Sequence, residues 1–215
     1  MNENNGVIDR IAVLKPNFKD FNYPLSFEFK IGTLANDFTA KDATGKTIAY
    51  VRQKMFKLKE DIQVFTNETK SEVIYTISAD RIIDFNASYN FMNANQIALG
   101  KVGRKGRKSI LKAHYNIFDQ NGNQDYTITE ENPWAKVGDA VLGEIPILGM
   151  FTGYMFNPRY VVKNNEDEII ARFSKEASFF GRKFKLEEVG KFKEGDDERI
   201  LLALMMMSLL ERRRG

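Results

Sequence analysis

The sequence predicts an all-β fold: a β-barrel of about a dozen antiparallel strands that closes around a buried carboxy-terminal α-helix. Three observations lead to this prediction. Stretches in which apolar and polar residues alternate follow one another from about residue 26 to residue 193. Several of these stretches repeat as hairpins. Near its end the chain carries a run of eleven residues, 200–210, that is apolar except for Ser208.

The strands are predicted from their period of two. In the stretch SFEFKI at 26–31, Phe27, Phe29 and Ile31 alternate with polar residues, as expected of a half-buried strand. The stretches KTIAYVRQKMFKLKEDIQVFT, EVIYTISADRIIDF and RKSILKAHYNIFD show the same alternation. Because sequential strands with short connections usually pair, these segments favour an antiparallel sheet.

A weak internal repeat organises the strands into hairpins. An aromatic-led strand that enters an Asx or Gly turn occurs at 38–45, 115–122 and 160–167, and a shortened copy begins at Tyr89. In the Asp-x-x-Gly form of the turn, Asp42 and Asp119 are expected to cap the turn backbone. Gly45 and Gly122 are then expected to supply the positive φ angle.

The terminal run predicts a helix over 197–213 that lies along the barrel axis. Asp196, Asp197 and Glu198 precede the run, and arginines occupy 212–214, so both ends have the polarity that a helix dipole favours. Eleven apolar residues span about 16 Å, whereas a bilayer core needs about 30 Å. A helix that is apolar on all sides also lacks the polar face of an interfacial helix. The sequence therefore favours burial inside a barrel and no transmembrane segment.

Two further regions complete the predicted organisation. Asn132 as the cap and Pro133 as the first helical residue predict a second helix over 133–145, and the apolar stretch 140–158 contains the end of this helix, a connector and a strand. An alternative interpretation of 140–158 is an exposed apolar patch for a partner or the membrane interface. Residues 1–24 are expected to form an amino-terminal arm, and residues 25–215 a single barrel domain.

Composition narrows the function classes. The chain has no cysteine, which excludes disulfides, thiolate metal sites and cysteine nucleophiles. A net charge of +3 gives no strong attraction to nucleic acid or to a membrane, so only a local cluster of charge could provide one. The amino terminus lacks the features of a secretory signal, so a cytoplasmic location is expected. No nucleophile motif appears. Because His114 is the single histidine and there is no cysteine, the common kinds of zinc site are excluded. No enzyme activity, cofactor or metal is predicted.

The strongest candidate binding site is the basic stretch GKVGRKGRKSILK at 100–112. Its glycines let the backbone approach an anion while the side chains supply positive charge, which suits a phosphate or an anionic lipid headgroup. The alternative is a solvated hairpin whose charges protect an exposed strand edge. The candidate anion-binding residues are Lys101, Arg104, Lys105, Arg107, Lys108 and Lys112.

Other polar clusters have simpler explanations. Two further basic groups are interpreted as part of the solvent-exposed face of the barrel, and the alternative is a surface that binds lipid headgroups. They consist of Arg52, Lys54, Lys57 and Lys59 and of Arg182, Lys183 and Lys185. In DQNGNQD, Asp119, Asn121 and Asp125 resemble calcium ligands, but the spacing of a calcium-binding loop is absent and a tight turn explains these residues equally well.

The chain resembles the LURP-one-related and phospholipid-scramblase-like branch of the tubby C-terminal-like superfamily, in a bacterial form. The resemblance lies in the hairpin at 38–51, the strands RQKMFKLKEDIQVF at 52–65, the hairpin at 115–122 and the terminal helix. It implies a non-enzymatic binding module for anionic phospholipid headgroups or the membrane surface, with peripheral membrane attachment. The alternative is a protein-interaction scaffold with no lipid ligand.

Overall fold

The computed structural model describes residues 21–32, 36–53, 61–80, 87–104, 113–131, 158–176, 183–193 and 195–211. Within these ranges the chain forms twelve strands and one helix, α1 (Asp196–Glu211). The strands are β1 (Leu25–Phe29), β2 (Asn36–Lys41), β3 (Thr47–Gln53), β4 (Asp61–Phe65), β5 (Val73–Ala79), β6 (Ser88–Asn93), β7 (Ala98–Arg104), β8 (His114–Phe118), β9 (Gln124–Glu130), β10 (Arg159–Asn164), β11 (Ile169–Glu176) and β12 (Lys183–Glu188).

The strands form a closed barrel, as predicted. Each strand pairs antiparallel with its neighbour in sequence, and β1 pairs with β12 to close the sheet in the register Leu25↔Leu186 to Glu28↔Lys183. Closure leaves no edge strand within the barrel, so every strand has a hydrogen-bonding partner on both sides. The all-β class and the carboxy-terminal helix are both confirmed.

Helix α1 fills the barrel. Its residues from Ile200 to Leu209 are buried, and Ser208, the one polar residue among them, donates its hydroxyl to the carbonyl oxygen of Met205 at 2.8 Å. Alternate residues of the strands, such as Phe27, Ile62 and Ile117, are fully buried in the same core cluster. The uniform burial confirms the predicted axial helix. The observed helix begins one residue earlier than predicted, and residues 212 and 213 lie outside the described part.

Five hairpins have the same turn. An Asp or Asn accepts backbone N–H groups through its side chain, and the residue three positions later has a positive φ and donates its N–H to the carbonyl oxygen of that Asp or Asn. The sequence repeat predicts four of these turns. It misses the fifth, at 67–70, where Lys70 has the positive φ. The turns run from Asp42 to Gly45, Asn67 to Lys70, Asn93 to Gln96, Asp119 to Gly122 and Asn164 to Asp167.

Each of these hairpins also contains a β-bulge just after the turn. The register of each pair skips one residue of the second strand, which therefore has no cross-strand partner. Four of the bulged residues are apolar and lie in or against the core. The fifth is an aspartate. The bulged residues are Ile48, Ile74, Leu99, Asp125 and Ile170.

The two ends of the barrel differ. The turn end carries the five tight turns and the first residues of α1, and the loop end carries the longer connections and Glu211. Several predicted features lie in those connections, outside the described residues: the helix at 133–145, most of the stretch 140–158 and the continuation of strands through 54–60, 81–86 and 107–112. Of the predicted arm, only residues 21–24 are described, and Phe21 and Tyr23 pack against the core.

Candidate functional site

The structure describes two of the six candidate anion-binding residues, and it separates them. Lys101 lies on the outer face of β7, and its Nζ is 5.4 Å from the centroid of the Phe118 ring. Arg104 is the last residue of β7. It lies on the same face of the strand as the buried Val102, and it is opposite Tyr115 on β8. Arg104 therefore stands at the loop end, whereas Lys101 is held on the side of the barrel. The other four candidates, at 105, 107, 108 and 112, lie outside the described residues.

A buried carboxylate closes the core at the loop end. Glu211, only 5% exposed, accepts hydrogen bonds from the hydroxyl groups of Tyr115 at 2.8 Å and Tyr160 at 3.1 Å. Burial raises the pKa of Tyr160 well above its usual range, and the Glu211 and Glu130 carboxylates raise it further. These tyrosines lie on β8 and β10, so their hydrogen bonds to Glu211 join the end of α1 to two strands. Sequence reasoning missed it, although Glu211 is the first charged residue after the apolar run.

An ionic cluster fixes the start of α1 at the turn end. Arg199 donates through Nη2 to Asp125 Oδ2 at 2.7 Å and to Asp196 Oδ1 at 2.6 Å, and the Tyr126 hydroxyl donates to Asp196 Oδ2 at 2.5 Å. Burial raises the pKa of the Asp125 carboxyl even though Arg199 lowers it. Gly100 leaves room for Arg199, since a Cβ there would stand 2.9 Å from the Arg199 Cδ.

The residues considered for calcium are engaged in these structural roles. Asp119 Oδ1 accepts the backbone N–H groups of Asn121 and Asn123, both at 2.8 Å, and Asp125 pairs with Arg199. Across the described residues no group of three or more potential ligands is placed to hold a metal ion. His114 Nε2 lies 3.2 Å from Asn116 Oδ1 on the outer face of β8. The structure therefore assigns Asp119 and Asp125 to the turn and to the helix anchor.

The two further basic groups lie on the outer wall where they can be described. Lys183 is 3.6 Å from Glu28 and 3.4 Å from Glu176, and Lys185 is 2.7 Å from Glu187. These pairs are partly exposed, so each contributes little to stability, but they balance the charge of this wall. Arg52 lies on β3 opposite Asp37 and Gln63. Residues 54, 57, 59 and 182 lie outside the described part.

The connections of the two barrel ends carry opposite charge. Those of the loop end, at 30–35, 54–60, 80–87, 105–113, 131–158 and 177–182, contain 11 basic and 6 acidic residues. Those of the turn end, at 42–46, 66–72, 94–97, 119–123, 165–168 and 189–195, contain 4 basic and 8 acidic residues. Three acidic residues also begin α1 at the turn end, and three arginines follow Glu211. By sequence, the connections that join strands at the loop end are therefore net basic and those at the turn end net acidic, and all of the loop-end basic residues except Lys30 lie outside the described part.

Comparisons with known proteins agree with this architecture. The LURP-one-related family matches the chain over residues 47–207. Among solved structures, the fold is similar to the X-ray structure of a protein from Arabidopsis thaliana, with 12% sequence identity and a TM-score of 0.50. That similarity covers 95% of this chain and 99% of the plant chain. A search of curated proteins returned no match. Since the family match extends over most of the barrel and reaches into α1, the chain belongs to the LURP-one-related family.

Proposed function

We propose that this protein is a non-enzymatic binding module whose basic loop end contacts anionic phospholipid headgroups at a membrane surface. The observation that carries the proposal is the charge difference between the two ends of the barrel. A negatively charged surface attracts the loop end and repels the turn end, so the electrostatic field selects one orientation of approach. The described residues contain no helix that is long and apolar enough to cross a bilayer.

The headgroup contacts are assigned to the basic stretch that joins β7 to β8. Arg104 stands where β7 reaches the loop end, and Lys105, Arg107, Lys108 and Lys112 follow it in sequence. Each basic residue near an anionic surface contributes about 1 kcal/mol at physiological ionic strength. Lys101 is expected to contribute less, because its ammonium group lies over the Phe118 ring on the side of the barrel.

A liposome co-sedimentation experiment with a charge-matched control tests the proposal. The test variant replaces Arg104, Lys105, Arg107 and Lys108 by Ser, and the control replaces four lysines at or near the turn end. Both lose four positive charges. Binding to phosphatidylcholine vesicles that contain phosphatidylserine should weaken by up to about 1,000-fold in the test variant, at about 1 kcal/mol for each of the four residues, and little in the control. The control lysines are Lys46, Lys163, Lys191 and Lys193.

Salt and vesicle composition provide the second readout. Binding should fall as the salt concentration rises and should be absent on pure phosphatidylcholine, because headgroup attraction between exposed charges is screened. Equal losses in both variants would contradict the role of the loop end. No binding to anionic vesicles at low salt would contradict lipid recognition and favour a scaffold that recognises a protein partner.

A further inference from the structure

A second buried patch lies on the outside of the barrel, separate from the core. Phe38, Ala40 and Val51 belong to the core cluster, so the residues that alternate with them on β2 and β3 face outward. The outward face of an antiparallel sheet is commonly open to water. Four outward residues of β2, β3 and β4 are nevertheless at most 6% exposed, and none belongs to the core cluster. We call them the outer patch: Asp37, Thr39, Tyr50 and Phe65.

The outer patch contains a carboxylate with one unsatisfied oxygen. Asp37 Oδ2 accepts the Tyr50 hydroxyl at 2.6 Å, whereas Asp37 Oδ1 is buried and has no hydrogen-bond partner among the described residues. Arg52 stands opposite Asp37 on β3 but does not donate to this oxygen. A buried carboxylate oxygen without a donor is unfavourable, because the group loses its water and gains no partner. A cationic donor from another part of the chain would remove that cost.

Side chains of neighbouring turns and loops lie over the aromatic part of the patch. The Nζ atoms of Lys30 and Lys70 are 5.6 Å and 5.2 Å from the centroid of the Tyr50 ring. Lys30 also donates a hydrogen bond to Glu68. Neither lysine donates to Asp37 Oδ1. These side chains therefore cover the ring and leave the carboxylate without its donor.

The amino-terminal arm, residues 1–20, joins the described part of the barrel beside this patch. The Asn22 carbonyl oxygen accepts the Ala43 N–H at 2.8 Å, which places residue 22 at the turn between β2 and β3. These are the strands that carry Asp37 and Tyr50. From Ala43 to Asp37 the chain runs six residues, or about 20 Å at the rise of a strand. An extended arm covers the same distance with about as many residues.

Among the basic residues of the arm, Lys15 has the reach that Asp37 requires. Lys15 lies seven residues before Asn22, so an arm that runs extended along β2 and β3 brings its ammonium level with the carboxylate. On the same path Lys19 stops short of the carboxylate, and Arg10 is carried past it. The residue after Lys15 is a proline, which favours extended backbone at Lys15 itself.

The arm also carries apolar side chains that suit a covered position on the wall. Seven of the twelve residues from 7 to 18 are apolar. Contact with the patch removes them from water, which stabilises a docked arm. The seven are Val7, Ile8, Ile11, Ala12, Val13, Leu14 and Phe18.

We propose that the outer patch is the docking site of the amino-terminal arm, with the Lys15 ammonium donating to Asp37 Oδ1. The apolar side chains of the arm then lie over Tyr50 and Phe65 and shield them from water. Covalent attachment favours this occupant over a separate peptide, because an attached segment has a high effective concentration at a site within its reach. The patch lies on the side of the barrel and the lipid proposal concerns the loop end, so one can fail without the other.

Paramagnetic relaxation measured on the full chain tests the docking. The chain has no cysteine, so Thr69→Cys, in the exposed turn beside the patch, takes a single nitroxide label. This label should broaden the amide signals of residues 15–19 in ¹⁵N-labelled protein. The same label at Thr127→Cys, on β9 across the barrel, should leave those signals sharp. No broadening from position 69, or equal broadening from both positions, would overturn the proposal.

Charge variants of the protein labelled at position 69 test the assigned pair. Asp37→Asn keeps an acceptor for the Tyr50 hydroxyl and should lower the equilibrium constant for docking by about tenfold, because a hydrogen bond between charged groups is lost. Lys15→Ser changes only the arm and should have the same effect if the first variant folds poorly. Arg10→Ser removes the same charge and should leave the broadening unchanged. Unchanged broadening in both Asp37→Asn and Lys15→Ser would overturn the pairing.

A mixed sample distinguishes the arm of the same molecule from that of a second copy. Spin-labelled protein without ¹⁵N is mixed with ¹⁵N-labelled protein that carries no spin label. The arm signals should stay sharp in this mixture, because the docked arm belongs to the molecule that carries the patch. Broadening in the mixture would assign the patch to the arm of a second copy and overturn docking within one chain.

Discussion

At the scale of single residues, Asp125 is the informative exception in the repeat. The other four bulged positions hold Ile or Leu and contribute to the core, whereas Asp125 receives Arg199 from the helix. Arg199 has a side chain only 11% exposed and contacts two carboxylates. Removing one partner of such a pair leaves a charge in a poorly solvated site, which costs more than the intact pair contributes. The pair therefore specifies which hairpin the start of α1 meets.

A double-mutant cycle tests this role. Arg199→Met alone should lower the free energy of unfolding by about 2–3 kcal/mol, because Asp125 and Asp196 lose their cation. Combining it with Asp125→Leu should recover most of that loss, because Leu is the residue at the equivalent bulge position 99. Chemical denaturation of the four proteins measures the coupling, which should exceed about 1 kcal/mol. Additive effects of the two substitutions would contradict the specific pairing.

At the scale of elements, the five turns perform one function with two kinds of residue. Asp42 and Asp119 cap their turns as carboxylates, whereas Asn67, Asn93 and Asn164 cap theirs as neutral amides. Hydrogen bonds from the turn lower the pKa of both aspartates, chiefly from the side chains of Thr44 and Asn123. A lowered pKa in the folded state means that the unfolded chain binds protons more readily.

The three turns capped by asparagine show that Asn can replace Asp at this position, which allows a pH test. In the wild type, the contribution of Asp42 and Asp119 should be fully present above pH about 4 and should be lost as the pH falls through their lowered pKa values. A variant with Asp42→Asn and Asp119→Asn keeps the turn geometry and removes this titration. Denaturation curves from pH 7 to pH 2.5 should show a shallower acid decline in the variant. An identical decline would mean that these turns do not contribute to the acid sensitivity.

At the scale of the whole molecule, α1 and the barrel depend on each other. The helix has no polar face to expose, and the inward faces of the strands have no other core to bury. Glu211 and Arg199 attach its two ends to different strands, so the helix has a fixed position along the barrel axis. The barrel and its central helix are therefore expected to unfold as a single cooperative unit.

The effect of a charge in the centre tests this dependence. Met206→Asp should lower the free energy of unfolding by about 4 kcal/mol or more, because Met206 is 1% exposed and the new carboxylate would have no partner. Val189→Asp, at a position 47% exposed, should cost little. Deleting residues 196–215 should give a chain that aggregates. A truncated chain that stays soluble and unfolds cooperatively would contradict the axial helix.

Sequence patterns predicted most of this fold for a clear reason. A period of two in the strands, an Asx cap at the turns and a uniformly apolar helix are local signals, and each leaves few arrangements open. The candidate binding site was harder to predict from the sequence. The candidate stretch at 100–112 has the right composition, but only the strand register shows that Lys101 lies over Phe118 on the side wall while Arg104 reaches the loop end.

The sequence by itself determined the fold class, four of the five turn positions and the burial of α1, because these depend on residues close together in the chain. The tertiary structure alone decided which residues from distant parts of the chain meet. It pairs Asp125 with Arg199, brings Tyr115 and Tyr160 to Glu211, and places basic and acidic connections at opposite ends. Those contacts depend on strand order and register, and no local period in the sequence encodes the partner of a particular side chain.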